Sequence, residues 1–152
     1  MLCNLAIILT YDDELQVAES HFQEALSVSE GLVTRTPERY RIYLGMVLHN
    51  YSLFLLRVGR KSEAYTNLRR AVEIKRELVK ESPGIFEPNL VVSLRNLLVM
   101  LQEDNSPDLE KYFQEVLDIN KQSPYASSNE IEQDEELYLE WEELYGGFGE
   151  TP

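Results

Sequence analysis

Cys3, His21 and His49 are the residues whose types could support nucleophilic chemistry. A thiolate activated by an imidazole needs a third group to orient the base and a shaped pocket around both. Cys3 instead stands in an apolar helical pattern, where packing accounts for it. Asp12, Asp13 and Glu14 gather carboxylates, but a calcium loop needs alternating ligands around a central glycine, which this run lacks. The chain has no Gly-rich phosphate loop, His-Glu-x-x-His or paired-Cys motif. The expectation is therefore no catalysis, no cofactor and no metal.

Amide chemistry is better represented. Asn4, Asn50 and Asn96 lie 46 residues apart, in the frames Asn4-Leu5-Ala6, Asn50-Tyr51-Ser52 and Asn96-Leu97-Leu98. Asparagine is a poor helix-interior residue, because its amide competes with the backbone for hydrogen bonds. Three copies in register imply a role that offsets this cost. One is to grip the main chain of an extended ligand through donor and acceptor pairs; the other is to bond the adjacent helix and hold the pitch of the array.

The asparagines mark a longer repeat. Fourteen residues after the first two come Ala18 and Ala64, then Phe22 and Leu68, Ala25 and Ala71, Val28 and Ile74; a third copy, one residue shorter, places Leu109, Phe113, Val116 and Ile119 in those slots. A period of this length predicts a solenoid of helical pairs, each burying its apolar face against its neighbours.

Punctuation sets the elements. A first helix runs to about Tyr11, and Asp12-Asp13 with Gln16 supplies a cap for a second helix bearing Leu15, Ala18, Phe22, Ala25, Leu26 and Leu32. Thr36-Pro37-Glu38 opens a third in the order cap, first-turn proline, early acid, and Gly59 closes it. A fourth begins near residues 60–62 and stops at Ser82-Pro83-Gly84; a fifth starts between Gly84 and Pro88 and continues through Leu101; a sixth opens at Ser106-Pro107 and ends before Ser123-Pro124. The alanines 18, 25, 64 and 71 are where paired helices approach closely. Only three residues precede Asn4, so Leu2, Leu5, Ile8 and Leu9 should be incompletely covered, to be protected by a longer parent chain or a second subunit.

The segment from Leu48 to Ala64, with its Leu-x-Asn-x-Ser pattern, Gly59-Arg60 turn and Glu63-Ala64 pair, followed by Leu68, Ala71, Val72 and Ile74, resembles the tetratricopeptide repeat family in its long-helix form, as in kinesin light chain and many bacterial repeat proteins. The resemblance covers about residues 1–122, in units of about 1–36, 37–83 and 84–122. Asp13 replaces the turn glycine in the first unit, and Leu109 and Val116 replace both alanines in the third. It implies an all-α, right-handed α-solenoid of three helix-turn-helix repeats, with a concave groove that receives a peptide or partner helix. Carried onto this chain, the groove comprises Asn4, His49, Asn50, Leu53, Leu56, Arg95, Asn96 and Val99. The family's carboxylate clamp needs lysines and an arginine beside such asparagines, whereas here only Arg95 and His49 bring charge.

Composition limits the partners. Residues 1–34 carry six acids and no base, 35–122 carry fourteen bases against twelve acids, and 123–152 carry nine acids and no base, for a net charge of −13. Such acidic ends oppose nucleic acid. The longest apolar run, Ile42 to Leu56, is interrupted by His49 and Asn50 and falls short of the ~20 residues that span a bilayer. A lone cysteine permits no internal disulfide, and the N-terminal residues lack the basic region of a signal peptide, which together suggest a cytoplasmic protein. The expected function is a protein-interaction module or adaptor; the alternative is a structural or oligomerisation segment that self-associates through its first helix.

Residues 123–152 depart from the repeat. Ser127 and Glu130 form a capping box for an acidic amphipathic helix with Leu137, Tyr138, Trp141, Leu144 and Tyr145 on one face, ended by Gly146-Gly147. Its expected use is to cap the third unit through Trp141 and Leu144, with little sensitivity to salt. The alternative is a tethered pseudo-ligand lying against the basic middle of the chain.

Overall fold

The computed structural model describes residues 2–11, 14–104, 106–123 and 127–145, with side chains described as far as residue 140. Among these residues the chain is all-α, with seven helices packed mainly against sequential neighbours: α1 (Leu2–Tyr11), α2 (Leu15–Arg35), α3 (Pro37–Arg57), α4 (Lys61–Glu81), α5 (Glu87–Glu103), α6 (Leu109–Gln122) and α7 (Ser128–Tyr145). They fall into two compact units, Met1–Pro83 holding α1 to α4 and Gly84–Pro152 holding α5 to α7. No helix of the described residues is long and apolar enough to cross a membrane.

The helix ends follow local chemistry with two departures. Gly59 takes φ +79° after α3, so the Arg60 N–H reaches Leu55 O at 2.8 Å and the Gly59 N–H reaches Leu56 O at 3.0 Å. This pair of bonds is a Schellman closure, which a residue with a Cβ adopts only under strain. Gly84, at φ +88°, donates its N–H to Glu87 Oε1 at 2.7 Å in the first turn of α5. The Ser127–Glu130 box is reciprocal: the Ser127 N–H donates to Glu130 Oε2 at 3.0 Å, and the Glu130 N–H donates to Ser127 Oγ at 3.2 Å.

Thr36, in contrast, makes no side-chain cap. It is the single residue between two long helices, and its N–H closes α2 on Leu32 O at 2.9 Å with φ −147°. The start of α6 also falls later than the Ser106-Pro107 signal, because Ser106 Oγ accepts the Asp108 N–H at 3.3 Å in a preceding turn. The expected Asp12–Asp13 cap lies outside the described residues, and Glu14 at that end makes no side-chain cap.

The first unit is centred on α3, which contacts α1, α2 and α4. Phe22 of α2 stacks on Tyr51 at 5.4 Å and meets Phe54 at 5.3 Å. On the α4 side, Leu44 and Leu48 pack with Ala71, flanked by Leu26, Val33 and Ile74. Gly45 permits close approach there: a Cβ at this position would stand 3.2 Å from Ile74 Cγ2. Ala18, Ala64 and Ala71 are fully buried, as their register predicts. Leu2 and Leu9 of α1 are half-covered and Leu5 and Ile8 exposed, matching the expected open edge.

Ion pairs account for much of the basic middle. Arg41 meets Glu77 at 3.2 Å and Glu81 at 2.7 Å, clamping the start of α3 to the end of α4. Arg60 binds Glu63 and Glu19, and Arg70 reaches Glu30 at 2.8 Å, so Arg60 and Arg70 meet acids of the base-free first segment. Exposed pairs of this kind add little to stability, so their main effect is on registry and solubility.

In the second unit α5 buries Leu90, Val91, Leu94, Leu97, Leu98 and Leu101, and α6 buries Leu109, Tyr112, Phe113, Val116 and Leu117; α7 packs on α6. The close α3–α4 contact generates a direct test. Replacing Ala71 with Leu should lower stability by about 1 to 3 kcal/mol through overpacking, while Thr66→Leu, on the exposed side of α4, should be nearly silent. Denaturant unfolding measures both, and equal midpoints for the two variants would refute the contact.

Candidate functional site

Of the sequence-predicted site residues, the first unit carries Asn4, His49, Asn50, Leu53 and Leu56, and the second carries Arg95, Asn96 and Val99. Asn50 and Leu53 come together at a recess of about 210 Å³, also lined by Ile7, Thr10 and Tyr11 of α1, Phe22 of α2, and Phe54 and Arg57 of α3. Helical spacing explains the grouping, since residues 50, 53, 54 and 57 share one face of α3. The recess is mainly apolar, with an amide and a guanidinium at α3 positions seven residues apart. Leu53 is 38% exposed, leaving an apolar side chain open to solvent at its rim.

Two polar groups of the recess, Asn50 and Thr10, already have bonds. Asn50 Nδ2 donates to Cys3 Sγ at 3.5 Å, so this amide ties α3 to α1. That contact corresponds to the interhelical role rather than the ligand grip, although the Asn50 carbonyl oxygen remains an acceptor by type. Thr10 Oγ1 donates to Ala6 O at 2.7 Å, turning its hydroxyl back onto its own helix. Burial raises the Cys3 thiol pKa and so lowers its thiolate fraction.

Asn4 is exposed on α1 and is not among the recess residues, while Leu56 is half-buried. His49 is buried, and burial, with a smaller effect from the Lys75 charge, lowers its pKa to about 4. Lys75 on α4 is itself depressed to about 8 by burial. His21 lies half-buried with Nδ1 3.9 Å from Glu24 Oε2. In the second unit Val99 is exposed and Asn96 half-buried, whereas Arg95 is held by Asp134 of α7, donating from Nε at 3.0 Å and from Nη2 at 2.6 Å.

Ile7, Thr10, Tyr11, Phe22, Phe54 and Arg57 at the recess, and Asp134 in the second unit, escaped the sequence reading of the site. Ile7, Thr10 and Tyr11 line the recess because α1 leans on α3, a tertiary contact that repeat register alone does not give. Asp134 is hidden in an acidic run whose members look alike in sequence; Arg95, at the slot equivalent to His49, was the available signal. Trp141 and Leu144, expected to anchor the tail, lie outside the described side chains. Among the described residues no group of three metal-ligating side chains occurs, and Asp12 and Asp13 are not among them. Neither a protein-family model nor a curated protein matches the chain.

The neutral state of His49 has a pH consequence. Between its ordinary value of 6.5 and about 4, the unfolded chain binds a proton at this residue that the folded chain refuses. Its contribution is complete above pH 6.5 and is lost as pH falls toward 4. The stability difference between the native chain and His49→Gln should therefore be flat above pH 6.5 and change by about 1 kcal/mol per pH unit below it. Urea unfolding at stepped pH measures this, and parallel curves would place His49 in contact with water.

Proposed function

We propose that this chain is a protein-interaction module of tetratricopeptide-like, right-handed solenoid character, which binds a peptide or partner helix along the first helices of its repeats. The observation that carries the reading is the recess between α1 and α3, where Leu53 and the apolar side chains of Ile7, Tyr11 and Phe54 are joined by Asn50 and Arg57. Its chemistry suits an apolar anchor residue, with the Arg57 charge favouring an acid beside it. Arg95, Asn96 and Val99 occupy the matching sequence positions of α5.

The second reading, a structural or oligomerisation segment, draws on α1. Leu5, Ile8 and Tyr11 are exposed at 42%, 56% and 75%, and their spacing puts them on one side of that helix. A neighbouring chain would cover them. Concentration-dependent sedimentation separates the readings, because the interaction module binds peptide without changing its own oligomeric state.

The direct test is to pan a displayed random-peptide library on the intact chain. Enriched sequences should share a Leu or aromatic anchor with a nearby acid, and Leu53→Arg should abolish enrichment while leaving the melting temperature within a few degrees. Equal enrichment on the folded Leu53→Arg chain would refute the recess as the binding site.

A further inference from the structure

Over its described side chains, 128–140, the last helix is attached mainly by charge. Among the described side chains of α7, Asp134 alone is buried, at 4% exposed, while Leu137 and Leu139 face solvent. Both carboxylate oxygens of Asp134 are engaged: Oδ1 accepts Arg95 Nε at 3.0 Å, and Oδ2 accepts Arg95 Nη2 at 2.6 Å and Asn120 Nδ2 at 2.5 Å. Around this centre, Glu130 lies 3.9 Å from Arg95 Nη1, Lys121 meets Glu135 at 3.1 Å, and the Tyr138 ring meets Phe113 edge-on at 5.8 Å. A cleft of about 90 Å³, bounded in part by Val91, Arg95, Asn120 and Glu130, remains beside the joint.

The α5–α6 face is matched to the acid it holds. A guanidinium presents a planar fork to a carboxylate, and Asn120 supplies a third donor, so the α5–α6 face matches a carboxylate in geometry as well as charge. Asp134 and Tyr138 are four residues apart, and one helix face therefore delivers both the acid and the ring. α7 carries eight acids and no base from 128 to 145. Self-repulsion among them weakens the helix, and among its described side chains, 128–140, none that is apolar is buried.

We propose that the Arg95, Asn120, Lys121 and Phe113 face is a docking surface for an acidic helix of a partner protein, and that α7 is the resident occupant which the partner displaces. The partner presents a carboxylate to Arg95 and Asn120 and, one helical turn away, an aromatic ring to Phe113. Tethering gives α7 a high effective concentration, so it sets the threshold a partner must exceed. The apparent affinity for the partner is reduced by the fraction of chains in which α7 is undocked. This surface uses none of the α1–α3 recess residues, and its failure would leave that reading standing.

The test uses the intact chain and a fluorescent peptide of residues 127–145 as the probe. Asp134→Asn in the chain weakens the resident helix and should tighten peptide binding by about tenfold or more, as expected when the competent fraction rises. A peptide carrying the same Asp134→Asn change should lose a comparable factor, and adding Arg95→Ala to the chain should abolish binding. Affinity should also fall as salt is raised from about 50 to 300 mM. A cooperatively melting Asp134→Asn chain that binds neither peptide, or binds both equally, would overturn the proposal. If that variant does not fold, hydrogen exchange of the native chain decides: excess peptide should accelerate exchange in the chain's own 128–140 segment, and unchanged exchange would overturn the proposal.

Discussion

The burial of α3 is the constraint on which the first unit depends. Nine of its residues are buried, and it is the helix that touches α1, α2 and α4. A helix covered on several sides must present small residues where a neighbour comes closest, and Gly45 faces Ile74 at such a place, with Ala71 alongside. The opposite side receives Phe22 between Tyr51 and Phe54. The position of α1 then follows, since Cys3 and Ala6 are buried and Asn50 bonds Cys3. The recess proposed for ligand binding is formed as α1 and α3 come together.

Charge is distributed by a second rule. The acidic first segment and the basic middle look like separate regions in sequence, but Arg60 with Glu19 and Arg70 with Glu30 join them in the fold. Arg41 closes the α3–α4 pair in the same way. In the second unit the pairing passes to Arg95 and Asp134, where the carboxylate is buried and the guanidinium remains about one-third exposed. Removing Arg95 there leaves the buried Asp134 carboxylate without its cation, whereas removing Asp134 leaves a guanidinium that solvent still reaches.

Helix boundaries were legible wherever a backbone requirement selected the residue. Pro37, Gly59 and Gly84 each mark an end because their φ preferences differ from those of other residues, and the fully buried Ala64 and Ala71 follow from register. Thr36 misled because one residue had to close α2 and open α3, and its backbone served the former without a side-chain cap for the latter. Arg95 was placed correctly on its helix but not with its occupant, because periodicity gives the face a residue points from and says nothing about a distant acid. The asparagine register predicted a shared role; Asn50 makes an interhelical bond to Cys3, while Asn4 is exposed and Asn96 half-buried.

These contacts make stability uneven within the first unit, with α3 at its centre and α1 at its open edge. Site-resolved amide hydrogen exchange on the intact chain measures that ordering most directly. The account predicts that amides of residues 44–55 in α3 are the slowest to exchange in residues 1–83, with α1 opening well before them. Protection in α1 equal to that in α3, or an α3 that exchanges before α2 and α4, would contradict it.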